Sequence, residues 1–425
     1  MRFSFFGHTG TMHRRSFLLS ACALALRSRA ANLSLGTIAY LQADGLWVRS
    51  LPDGRPRKVA TGAKTPRFSP SGEWIAFDGG VVRSDGAASA PMPARASVWV
   101  PRQDVLAIAT NEGLSLFSPR TGWSNPVKRK GVGLPVFNGD GSEFVYSNAV
   151  RIGTGPGGEP MRNGQLSRTA LGSTESQTLL SQYLVLPIPY RWTRDSRCIL
   201  YWKDPDFSAS VMADGLDLFR VPAAGGQAEP LGVTTLVHYD LLALSPIGNE
   251  LAVTAGDLRE TYENKRIAIV DLDSLALRYI TGSDASAMAP AWSPDGRRIA
   301  YVQAPAPPLP ADNVTAIPYM ARRRIWVADV SGATPPHAIT SDNRYRDEEP
   351  LWSADGTHIL FCRFDTNGAG TLWIMGAGGE NPVQVSGALA LKNGFSGLYG
   401  YGFYGYIDWR GTFDWHSATE ASYPV

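Results

Sequence analysis

PAWSPDGRRIAY, residues Pro290–Tyr301, decides the fold because the chain repeats it. It returns as PLWSADGTHILF (Pro350–Phe361), PRFSPSGEWIAF (Pro66–Phe77) and PVFNGDGSEFVY (Pro135–Tyr146). Each copy reads as a strand ending in an aromatic, a tight polar turn, and a second strand of β-branched and aromatic residues. One such hairpin cannot bury its own apolar faces. Units arranged around an axis bury them against one another.

Weaker copies fill the gaps: YRWTRDSRCILY (Tyr190–Tyr201), LLALSPIGNELAV (Leu241–Val253) and SVWVPRQDVLAI (Ser97–Ile108). The anchors at the end of the first strand are then Phe68, Trp99, Phe137, Trp192, Leu244, Trp292 and Trp352. A third strand follows each hairpin, as in Arg324–Val330, Thr371–Ala377, Leu216–Pro222 and Arg266–Leu272, and then a short fourth such as Pro382–Ser386. Four antiparallel strands, a to d from the axis outward, make a propeller blade. The chain opens on Thr37–Leu41, Gly45–Ser50 and Pro56–Thr61, which read as strands b, c and d without an a. Tyr406-Ile407-Asp408-Trp409 near the C-terminus reads as the missing a. The fold class is therefore all-β, a single closed β-propeller whose last blade is completed by both termini. The count is eight blades, or seven if the Trp99 unit is not a blade. The 44 glycines and 30 prolines suit a chain that turns every few residues.

The SPDG-type turn, with an aromatic before it and IAY after it, resembles the TolB-like propeller repeat. That repeat is also found in tricorn-type propellers and in the propeller domains of prolyl oligopeptidases and dipeptidyl peptidases. The resemblance covers nearly all of the chain beyond its first thirty residues. It implies the fold and leaves the function open, because propellers of this kind serve unrelated tasks. The chain departs from TolB in two respects. No separate α/β domain precedes the first blade, and the resemblance implies six blades.

Residues 1–30 read as an export segment and residues 31–425 as the propeller. Arg14-Arg15-Ser16-Phe17-Leu18 resembles a twin-arginine signal, which places the protein in the periplasm or cell envelope. Two exits stay open: a lipid anchor at Cys22 after Leu19-Ser20-Ala21, or plain cleavage after Ser28-Arg29-Ala30. Without this segment 35 basic residues face 38 acidic ones, a net charge of about −3. No basic stripe is present, so nucleic acid is not the expected partner. No later apolar run is long enough to span a bilayer. Cys198 and Cys362 fall in b strands of non-adjacent blades and are expected as buried thiols rather than a disulfide.

Enzymatic signatures are sparse. There is no G-x-S-x-G elbow, no ligand-spaced pair among His238, His337, His358 and His416, and no calcium loop. No metal and no cofactor is expected. In an up-and-down meander the a–b and c–d turns share one face, and the b–c and d–a loops share the other. The a–b turns are all short. The long segments, Ser147–Gly164, Lys203–Gly215, Ala255–Lys265 and Gln303–Arg323 between b and c, and Ser181–Pro189, Ser341–Glu349 and Gly387–Gly405 between d and a, gather on the opposite face. That face is the expected functional one.

Its candidate binding residues are His238, Tyr239 and Asp240 before the Leu244 blade, Asp257 in a b–c loop, and Tyr345, Arg346, Asp347, Glu348 and Glu349 before the Trp352 blade. Tyr404, in the Gly/aromatic run Gly397–Tyr406, completes the set. Paired glutamates resemble those that hold a substrate amine in dipeptidyl peptidases; a self-neutralising surface loop explains the same residues. Asp347 and Glu348 are expected to be exposed. The reading is a monomeric, non-catalytic envelope propeller binding a protein, peptide or glycan. The alternative is an enzyme acting on carbohydrate or a small ester, which would require Asp240, Asp257, Asp347 and Glu348 to converge around a pocket.

Overall fold

The computed structural model describes residues 34–417, apart from 93–96, 111–112, 125–126, 129–132, 206–213 and 392–400. The export motif, Cys22 and part of the Gly/aromatic run lie outside the described residues. Eight antiparallel sheets follow one another in chain order and form the blades of one ring. The Trp99 unit is a true blade, with Ser97–Trp99 paired to Leu106–Thr110.

Closure by both termini holds, but through a different strand. Phe413–His416, not Tyr406–Trp409, pairs with Thr37–Tyr40. Ile38 lies opposite Trp415 just as Ile359 lies opposite Trp352, so Trp415 is the missing anchor; with this shared blade counted as the first, the blades of Trp292 and Trp352 are the seventh and eighth. Tyr406–Trp409 is short of the strand: Phe403 and Tyr406 form an isolated bridge and a single 3₁₀ turn covers Trp409–Gly411. No Asp-Gly turn marks Trp415, because the b strand that this a strand pairs with comes from the N-terminal side of the chain and no a–b turn joins them.

The repeated turn has a chemical basis. Ser293 Oγ accepts from Arg298 N at 2.9 Å and donates to Asp295 Oδ1, which caps Arg297 N. Gly296 supplies the left-handed conformation at φ +66°. Ser353, Asp355 and Gly356 repeat the arrangement in the eighth blade. The Trp anchors join blades. The indoles of Trp99, Trp192, Trp292 and Trp352 donate to the carbonyls of Arg67, Val136, Ala243 and Ala291, each the residue before the preceding or next-lower anchor. Between blades lie apolar clusters such as Ala252, Ile267, Trp292, Ile299 and Tyr301.

Two expected loops are instead strand. Glu143–Thr154 and Pro160–Ala170 form one long hairpin that runs to the Thr154–Pro160 pair. Gln177–Tyr183 and Val185–Trp192 are separated by Leu184 alone. Among the described residues no helix is long and apolar enough to cross a membrane.

Candidate ligand-binding site

The site begins with a bulge. In the eighth blade the register of the a strand shifts between Glu348 and Leu351, and Glu349 sits at φ +52°. A bulge re-aims a side chain, and a non-glycine residue at positive φ is strained. Just upstream, Asp347 and Arg363 face each other across strands a and b. Arg363 donates from Nε to Oδ1 at 2.7 Å and from Nη2 to Oδ2 at 3.0 Å. Glu348 Oε1 accepts from Arg323 Nη1 at 3.0 Å, and Arg346 Nε lies 3.0 Å from the same oxygen. The Arg346 guanidinium is held between the rings of Phe364 and Tyr401, 3.9 and 4.1 Å from their centroids. Asp347 and Glu348 are both 0 % exposed. This corrects the expectation of exposed carboxylates: Asp347 meets the Arg363 that strand pairing places opposite it, Glu348 meets Arg323 from the neighbouring blade, and a buried acid is tolerated only when so paired.

Nearer the axis the groups are less well satisfied. Tyr406 donates its hydroxyl to Asp240 Oδ1 at 2.7 Å, and its ring stacks on His238 at 3.7 Å. Asp240 Oδ2, Glu348 Oε2 and Glu349 Oε2 are buried and make no hydrogen bond among the described residues. Burial pushes the Asp240 carboxyl up to about 6, against the Tyr406 hydrogen bond and the Arg410 charge. Glu349 is pushed well above the ordinary carboxyl range, first by burial, then by the charges of Asp240 and Glu348. Burial holds His238 down at about 4, so its ring is neutral at pH 7. Tyr239 is 38 % exposed, its ring 5.5 Å from Trp202 and 5.8 Å from Tyr190, with the Arg410 guanidinium 5.1 Å away.

The segment after the last blade ties these parts together. Gly405 O accepts from Arg323 Nη1 at 2.7 Å, and Tyr404 O accepts from Thr261 N at 2.9 Å. Gly405 is obligatory, since at φ +83° a Cβ there would meet Thr261 Oγ1 at 2.7 Å and Met320 Sδ at 2.9 Å. Tyr401–Gly405, Asn313 and Met320 line an open cleft of about 220 Å³. Tyr404 borders this cleft with Arg259 over its ring. Tyr345 lies to the side, under the Arg363 guanidinium. Asp257 does not join: it is exposed and accepts from Asn264 Nδ2 in its own loop. The four acids Asp240, Asp257, Asp347 and Glu348 therefore do not converge. Among the described residues no His, Cys, Asp and Glu side chains gather as a metal site.

Residues missed from the sequence are Arg323, Arg363, Tyr406 and Arg410. Arg363 had a signal, since it is two residues beyond the repeat phrase on the strand that must pair with Asp347. Tyr406 and Arg410 depend on where the final segment crosses, and Arg323 on how the long b–c loop returns to its blade, neither of which periodicity reveals.

No family model matches the chain, and no curated protein matches it in sequence. Solved structures of propellers do resemble it. A prolyl endopeptidase matches at 12% identity and TM-score 0.47, covering 80% of this chain and 46% of its own, so the chain spans about half that enzyme's length. Oligogalacturonate lyase from Vibrio parahaemolyticus matches at 12% identity and TM-score 0.46, covering 80% of this chain and 96% of its own. TolB from Acinetobacter baumannii matches at 16% identity and TM-score 0.35, covering 75% of this chain and 66% of its own. The chain is similar to TolB-like propellers in fold, and the likeness extends no further than fold.

Proposed function

We propose that this chain is a non-catalytic cell-envelope propeller that binds a protein, peptide or glycan on the face carrying its b–c and d–a loops. The observation that carries the reading is the set of buried, unbonded oxygens at the axis, Asp240 Oδ2 and Glu349 Oε2 above all. Folding gains nothing from such groups. They sit on d–a loops and on a strained bulge, where binding groups are usually held. Exposed Tyr239 and Phe403 add apolar contact surface on the same face, 38 % and 45 % accessible. The enzyme reading called for four converging acids and loses that support. Export through the Arg14-Arg15 signal belongs to the same proposal, with residues 31–425 as the working protein. Changing both arginines to lysine should stop twin-arginine export.

The test is capture from envelope extract, and on peptide and glycan arrays, by residues 31–425 and by two variants. Tyr239→Ala combined with Phe403→Ala should lose the captured ligand. Ile247→Ala, on the opposite face in an a–b turn and 62 % exposed, should retain it. Loss with Ile247→Ala and retention with the double variant would reverse the assignment of the face.

A further inference from the structure

The cleft lined by Asn313, Met320 and Tyr401–Gly405 is walled by a turn whose sequence does not suit its shape. Phe403 and Tyr406 exchange backbone hydrogen bonds of 2.9 and 3.0 Å, which leaves Tyr404-Gly405 as a two-residue loop. Both loop residues have positive φ, +50° and +83°, the mark of a primed hairpin turn. Its first position favours Asn, Asp or Gly, and a bulky side chain there is strained. Tyr404 is nevertheless held firmly. The Phe403 ring meets it edge-on, with centroids 4.4 Å apart. Arg259 lies 5.5 Å from its centroid, and Asp214 fixes that guanidinium through hydrogen bonds of 2.8, 3.0 and 3.1 Å. Beneath the cleft, Tyr401 packs on a small apolar cluster of Tyr262, Ala316 and Met320. Phe403 is left 45 % exposed. A strained aromatic, clamped in place and paired with an exposed one, is a feature that binding explains and turn formation does not.

Size, charge and polarity narrow what the cleft accepts. Its volume of about 220 Å³ is room for about seven waters. That is below the roughly 300–1,000 Å³ of sites for drug-sized ligands, so it takes one ring of a ligand and leaves the rest outside. No charged side chain lines it among the described residues. Guanidiniums already lie against Tyr401 and Tyr404, Arg346 at 4.1 Å and Arg259 at 5.5 Å, so a further cation is repelled. Each guanidinium has its own carboxylate, Glu348 for Arg346 and Asp214 for Arg259, so neither is free for an anion. The ligand ring is therefore uncharged. The Asn313 side chain makes no hydrogen bond among the described residues. A hydrocarbon side chain filling the cleft would displace water from that amide and offer it nothing in return. A sugar ring offers both a C–H face for the aromatic rings and hydroxyls that donate to and accept from an amide.

We propose that this cleft binds a neutral glycan, one uncharged hexose ring lying against Phe403 and Tyr404 with its hydroxyls on Asn313. The inference rests on the binding function proposed above and names the ligand class and its subsite on that face.

The experiment titrates residues 31–425 with the methyl glycosides of glucose, galactose, mannose and N-acetylglucosamine, read by saturation-transfer NMR. Methyl glucuronide, tetramethylammonium and N-acetyltyrosinamide stand for an anion, a cation and a peptide side chain. At least one neutral glycoside should bind, and more tightly than these three. Tyr404→Asn suits the turn, so it should melt no lower than wild type yet weaken that glycoside by about tenfold. Phe403→Ala and Asn313→Ala should weaken it similarly, and melting curves establish that each variant is folded. No binding of any neutral glycoside, tighter binding of one of the other three probes, or variants that bind as wild type does would overturn the proposal. A Tyr404→Asn variant that melts well below wild type would make the tyrosine structural and overturn its role in the cleft. The wider reading fails separately, if nothing is captured from extract or arrays or if Ile247→Ala loses the captured ligand. Capture that survives Tyr404→Asn and Asn313→Ala, with no glycoside bound, would sink this inference alone.

Discussion

The seventh and eighth blades share a repeat phrase, a backbone and a bulge, yet differ in what they place near the axis. Residues 286–289 of the seventh blade are Ser, Ala, Met and Ala; residues 346–349 of the eighth, at the same register, are Arg, Asp, Glu and Glu. Ala289 and Glu349 take the same left-handed conformation, φ +55° and +52°. Ala287 faces Gln303 where Asp347 faces Arg363. The seventh blade shows that the architecture needs none of these charges. The charges of the eighth blade are an addition to what the architecture needs, and their cost is visible in the unbonded Glu349 oxygen.

The sharpest way to break this comparison is Asp347→Ala. It leaves Arg363 buried and unpaired, so the protein should lose about 3–5 kcal/mol in chemical denaturation. Adding Arg363→Gln, which gives the eighth blade the residues of the seventh, should restore most of that. A double variant as unstable as the single would show that the pair is needed to build the blade.

A smaller effect concerns pH. The Asp240 carboxyl is raised from 3.8 to about 6, so its contribution to stability is present below about 4 and lost as pH rises through 6. That loss is on the order of 3 kcal/mol. His238 is lowered from 6.5 to about 4, so its contribution is present above 6.5 and lost as pH falls toward 4. The two slopes oppose one another. Asp240→Asn should therefore become less stable on acidification across pH 6.5 to 4, and His238→Gln more stable, by denaturant melts at fixed pH. Identical slopes in both variants would contradict the assignments.

A finer test addresses what the two blades share. Trp352→Phe keeps the buried ring but removes the 3.1 Å bond from its indole to Ala291 O. It should cost about 1–2 kcal/mol, including the orphaned carbonyl. No change in stability would mean that the indole bond does not join the blades.

Much of the fold was legible because a repeat states its architecture several times over. The anchors, the Ser-Asp turns and the eight blades all follow from one phrase. The closing strand was misplaced because Tyr406-Ile407-Asp408-Trp409 imitates the aromatic pattern, while Phe413–His416 has no turn to mark it. The candidate site was legible only in location. Asp347 and Glu348 looked like a surface charge run: the strand that must pair with Asp347 did carry Arg363, but nothing in the sequence shows that Arg323 will meet Glu348 in the interior. Asp257 shares its loop type with the site but not its place, because loops of one face need not converge.

The most direct measurement is the affinity of the captured ligand for three proteins: wild type, Glu349→Ala and Asp355→Asn. Glu349→Ala makes the eighth bulge match the seventh and should change stability by no more than about 1 kcal/mol. Asp355→Asn alters an a–b turn on the opposite face, where Asp355 caps Thr357 N. Glu349→Ala should weaken binding by about tenfold or more while Asp355→Asn leaves it unchanged. Undiminished binding by Glu349→Ala, with loss in Asp355→Asn, would contradict it.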